Sequence, residues 1–105
     1  MSLYQTAQHI DRRVKGILRG VDLEELSREN REAVRQLKVA CNEVKLDVRD
    51  YEYAETRVEQ QKWAKIARHN IVALETLLLE LGSIFTPADI AELGAQLDML
   101  KEATT

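Results

Sequence analysis

The stretch VDLEELSRENREAVRQLKVACNEVKLDVRDYEYAETRVEQQKWAKIARHNIVALETLLLEL, residues 21–81, decides the fold, because it contains neither glycine nor proline. Gly20 and Gly82 bracket it, and nothing inside it stops a helix on its own account. Apolar residues recur in steps of four and three: Val34, Leu37, Cys41, Val44, Val48, Tyr51 and Val58, with Asn30 and Glu55 as polar interruptions. That is the spacing of one helix face. A second, thinner row, Val39, Leu46 and Tyr53, falls seven apart on the opposite side. The charges segregate between the rows. One flank carries Arg28, Arg31, Arg35, Lys38, Lys45 and Arg49; the other carries Glu29, Glu32, Glu43, Asp47 and Asp50.

After Val58 the register slips, and the row resumes as Trp63, Ile66/Ala67, Ile71, Leu74, Leu77/Leu78 and Leu81. Two architectures fit. Thr56-Arg-Val-Glu59 has the form of a capping box, so a hairpin can turn near residues 50–56 and start a new helix there. The other reading is one helix with a stutter in its repeat, about 90 Å long at 1.5 Å per residue. Turns without Gly, Pro, Asn or Ser are uncommon, and the main row keeps phase across the proposed turn, which favours the continuous helix. On that reading Arg57→Pro falls in a helix interior and costs about 3 kcal/mol.

The flanking segments are shorter. Leu3, Ala7, Ile10, Val14, Ile17 and Val21 mark an amphipathic helix from about residue 3 to 19, with Gly20 as a left-handed C-cap. Asp22-Leu-Glu-Glu25 has the acidic N-cap pattern that opens the second helix. Thr86-Pro-Ala-Asp89 starts the last one, with Ile90, Leu93, Leu97 and Leu100 on its inner face and Ala103-Thr-Thr fraying. The expected fold is all-α: a long central helix, or a helical hairpin, with short N- and C-terminal helices packed on it, bundle-like. It forms a single domain spanning residues 1–105.

Composition sets the bounds. The chain has 105 residues, 45% of them hydrophobic, which suits one domain with a modest core and is too apolar for disorder. One proline and four glycines are too few for the turns of a β protein. A lone cysteine makes no internal disulfide, and the N-terminal segment lacks the apolar run of a secretory signal, so a cytoplasmic location is expected. The greasiest segment, residues 71–85, carries Glu75 and Glu80 and reads as a buried helix, with no membrane span.

The acids Glu29, Glu32, Asp47 and Asp50 come nearest to a catalytic motif. Two pairs, each spaced by three, resemble the carboxylate clusters with which all-α nucleotide pyrophosphohydrolases hold magnesium. The pairs nevertheless sit over 20 Å apart if one helix carries both, and a solvated acidic flank is the simpler reading. No Glu-x-x-His pair, zinc spacing, P-loop or dinucleotide-binding glycine pattern occurs, so no metal or cofactor is expected. His9 and His69 lie off the apolar rows, while Cys41 lies on the main row as a small buried hydrophobe. The basic flank could follow a phosphate backbone, but a net charge of −3 and the interleaved acids argue against nucleic acid.

The residues therefore point to a non-enzymatic protein–protein interaction or oligomerisation module acting as a homodimer, with Val39, Leu46 and Tyr53 at the contact and oppositely charged flanks setting its register. The alternatives are a small magnesium-dependent nucleotide-hydrolysing enzyme and a nucleic-acid-associated regulator.

Overall fold

A computed structural model of the protein describes residues 2–105, and among these there are helices and no strand. The α-helices are α1 (Leu3–Leu18), α2 (Arg28–Tyr53), α3 (Arg57–Glu80) and α4 (Pro87–Ala103), with a 3-10 turn at Leu23–Glu25 ahead of α2. Each α-helix begins at a hydroxyl. Ser2, Ser27, Thr56 and Thr86 accept the backbone N–H of Gln5, Asn30, Glu59 and Asp89, so one orphan donor per helix start is satisfied. Ser2 and Thr86 complete the reciprocal capping box through Gln5 and Asp89.

The chain turns at residues 54–56. The continuous helix is thereby corrected: the longest dimension of the molecule is 47 Å, half of what that helix needs. Of the two architectures the hairpin is the one present, and α2 and α3 pack along each other. The physical reason lies in the backbone of the turn. Ala54 sits at φ −61°, ψ 128° and Thr56 at φ −119°, ψ 155°, both ordinary extended conformations. No residue among those described has a left-handed φ. This turn needs neither glycine nor asparagine, so their absence from residues 21–81 carried no message about continuity.

The same observation corrects Gly20, which is not a left-handed cap. α1 ends at Arg19 in right-handed geometry. Asp22 caps the 3-10 turn, accepting from Glu24 N–H, and does not open α2. Leu26 then runs extended and packs partly buried against the core before Ser27 starts the helix. The C-terminal residues do not fray: Thr104 is 1% exposed and its hydroxyl donates to Leu100 O at 2.8 Å.

The four helices close on themselves, α1 on α2, α2 on α3, α3 on α4 and α4 back on α1. The core is one cluster: Ala7, Ile10 and Val14; Val34, Leu37, Cys41, Val44 and Val48; Ala67, Ile71, Leu74 and Leu78; and Leu93, Leu97 and Leu100, with Leu81 and Phe85 closing the α3–α4 end. Glu52, near the end of α2, accepts from the N–H groups of Leu3 and Tyr4, the latter at 2.8 Å. An acid thus meets the positive end of the α1 dipole and holds α1 antiparallel to α2. At the same end, Tyr51 Oη donates to Ala103 O at 3.0 Å and ties α2 to the end of α4.

Candidate interaction surfaces

The bundle leaves two outer helix faces apolar. On α2, Val39, Leu46 and Tyr53 are 46%, 43% and 77% exposed. They stand opposite the buried row from Val34 to Val48, as a seven-residue spacing requires. On α3, Val58, Val72 and Leu79 are also exposed, with Lys65 at the intervening seven-residue position. That second row went unread in the sequence because Val58 is in phase with the buried row of α2. It leaves the core because the turn starts a new helix with its own phase.

The charged flanks of α2 divide between the fold and the solvent. Lys45 Nζ reaches Asp11 Oδ2 of α1 at 3.3 Å, and Lys15 Nζ lies 2.9 Å from Asp11 Oδ1. Asp11 is 6% exposed, so two lysines neutralise one buried carboxylate. Nothing in the sequence marked Asp11 as an inward position; it is one residue beyond Ile10 on the edge of the α1 stripe. On the other flank Asp47 is 8% exposed and accepts from Asn70 Nδ2 of α3. Burial, and then the nearby Glu43 and Asp50 charges, push the Asp47 carboxyl above its ordinary range against the hydrogen bond from Asn70. Arg28, Arg31, Arg35 and Arg49, and Glu29, Glu32, Glu43 and Asp50, remain on the solvent side. Within that set Arg35 donates to Glu32, lowering the pKa of its carboxyl, and Arg49 to Asp50.

The four candidate magnesium ligands are not brought together. All lie on α2, and the two pairs are separated by roughly 20–30 Å along it. Asp47 is turned toward Asn70, and Glu32 and Asp50 are taken up by arginines. Among the described residues no three His, Cys, Asp or Glu side chains are grouped to hold a metal ion. His9 and His69 are exposed. Cys41 is 2% exposed, and burial followed by the Asp11 charge pushes its thiol up to about 12; a thiol so placed is not an activated nucleophile. No helix among the described residues is long and apolar enough to cross a membrane.

A further cleft opens beside the α2–α3 turn. Tyr51, Arg57, Gln60, Gln61, Ala64, Lys65, Arg68, Thr104 and Thr105 line it. Three of these residues are cations and none is an acid.

No protein-family model, curated protein or solved structure matches this chain.

Proposed function

We propose that the protein is a protein–protein interaction module that works as a homodimer through the outer face of α2. The observation that supports this is the Val39–Leu46–Tyr53 row, three large side chains aligned on the solvent side of a helix. The earlier argument, that a long helix must be covered by a partner, no longer applies, because the bundle covers its own core. What remains is a narrower apolar strip between a basic and an acidic border.

The borders favour one geometry. A two-fold axis parallel to α2 sets the basic border of each copy (Arg28, Arg31, Arg35, Arg49) against the acidic border of the other (Glu32, Glu43, Asp50). An antiparallel pairing would oppose like charges along its length. A helix of 26 residues offers a face of roughly 400 Å², against the ~800 Å² per partner of a standard stable interface. The expected dimer is accordingly a reversible one in the micromolar range.

Sedimentation equilibrium across micromolar concentrations tests this. The parent chain should show monomer–dimer exchange. Leu46→Glu with Tyr53→Glu should give a single species near 12 kDa with unchanged helicity, because both side chains are already exposed. A concentration-independent monomer in the parent overturns the proposal. Dimerisation that survives the double substitution overturns the choice of face.

A further inference from the structure

We infer that the cleft beside the α2–α3 turn is a binding site for a linear polyphosphate group. The cleft, about 370 Å³ in volume, is lined by Arg57, Lys65 and Arg68 with no acid on its walls. None of the three makes an ion pair or a side-chain hydrogen bond among the described residues. Elsewhere the fold supplies an acid to many of its cations: Arg13 has Asp89, Lys15 and Lys45 share Asp11, and Lys101 has Glu75. Here three cations converge on one concavity without a counter-charge.

A plainer role for these cations would be to neutralise the carbonyl end of α4, which lies across the cleft. The hydrogen bonds leave little for them to do. Ala103 O takes the Tyr51 hydroxyl, Leu100 O takes the Thr104 hydroxyl, and Lys101 O takes the hydroxyls of Thr104 and Thr105. Arg57 also occupies the first position of α3, the positive end of the helix dipole, where a cation is disfavoured unless an anion answers it.

The spacing selects the ligand. Arg57 and Arg68 are eleven residues apart on α3, about 16 Å along its axis, with Lys65 one turn before Arg68. The cations therefore form a track, and a single carboxylate would meet only part of it. A run of phosphate groups can engage Lys65 and Arg68 while extending toward Arg57. The guanidinium forks suit phosphate oxygens, and the side-chain amides of Gln60 and Gln61 can donate to those left over. The source of such phosphates is either a small di- or triphosphate compound or the backbone of a single-stranded nucleic acid. Neither depends on whether the chain self-associates.

Isothermal titration calorimetry with inorganic tripolyphosphate at low ionic strength reads the site directly. The full chain should bind it saturably, one per protomer. The Arg57→Gln/Lys65→Gln/Arg68→Gln variant should lose affinity by roughly tenfold or more. The three residues are exposed, so helicity by circular dichroism should not change. Arg12→Gln/Arg19→Gln/Arg28→Gln removes the same charge from other exposed positions and should bind as the parent does. Absence of saturable binding overturns the inference. So does an equal loss in both triple variants, which would mean attraction by overall charge alone. A short oligothymidylate in competition separates the sources. Displacement that is lost in the cleft variant assigns the phosphates to nucleic acid; tripolyphosphate binding without displacement assigns them to a small ligand.

Discussion

Asn70 of α3 donates Nδ2 to Asp47 Oδ2 of α2 at 2.6 Å, halfway along the hairpin that the two helices form. The carboxylate is 8% exposed, in a strip where its heptad relatives Ala33 and Ala40 are small and buried. One polar pair in an otherwise apolar contact penalises sliding by a turn, since any other register leaves a carboxylate buried without its donor. Asn70→Leu should therefore cost about 1–3 kcal/mol, read as a fall in the urea midpoint.

The same contact gives a pH prediction. The Asp47 carboxyl is raised in the folded chain, chiefly by desolvation, so the folded state holds the proton more tightly than the unfolded state does. Stability from this group is full below the ordinary aspartate range and declines as pH rises through the folded value. Asp47→Asn keeps an acceptor for Asn70 and removes the ionisation. It should melt at or above the parent at pH 7, with the difference shrinking at about pH 3, where the parent carboxyl is protonated. Calorimetric melting at both pH values checks this; a variant that melts well below the parent at pH 7 contradicts it.

Arg57→Pro should be tolerated, the reverse of what a continuous helix demands. Arg57 follows the Thr56 cap as the first residue of α3, where the backbone N–H has no intrahelical partner and the φ of proline is already suitable. A melting temperature within a few degrees of the parent is expected. A loss approaching ~3 kcal/mol is what an interior helix position would show.

Asp11→Asn should be costly. It leaves Lys15 and Lys45 facing each other beside Cys41, with their shared anion gone, and a loss of about 2–4 kcal/mol is expected. The thiol provides a second readout. Asp11 raises the Cys41 pKa, and Lys15 and Lys45 lower it, so the substitution should shift the thiol downward. Labelling by a thiol reagent under native conditions should be faster in Asp11→Asn than in the parent, where it should await opening of the bundle.

Tyr51→Phe removes the hydroxyl that ties α2 to Ala103 O. The carbonyl is near solvent, so the loss should be modest, about 0.5–1.5 kcal/mol. It should appear as faster amide exchange in the last turn of α4, because that turn is where the anchor acts.

Much of the helical reading survives contact with the structure, since a helix face is a local property. Val34, Leu37, Cys41, Val44 and Val48, and Leu93, Leu97 and Leu100, are buried as their spacing requires. Thr56 and Thr86 cap as their local patterns suggest. The Val39, Leu46 and Tyr53 row is exposed because it lies opposite a buried row on the same helix, again a matter of period. By contrast, Asp11, Asn70 and the cleft cations depend on which helices become neighbours, and no interval along one segment encodes that.

The amino-acid sequence by itself determined that this chain is helical, where most of its helices begin, and which side chains share a face, because hydrogen-bond caps and the 3.6-residue period act within a few residues. Only the tertiary structure decided that residues 21–81 fold back on themselves. The turn at 54–56 uses extended backbone open to any residue type, so the choice rests on α3 burying Ala67, Ile71, Leu74 and Leu78 against the rest of the bundle. That burial is a long-range free energy, on the order of 1.5–3 kcal/mol for each large aliphatic side chain, and it outweighs the local preference of residues 50–58 to continue as helix.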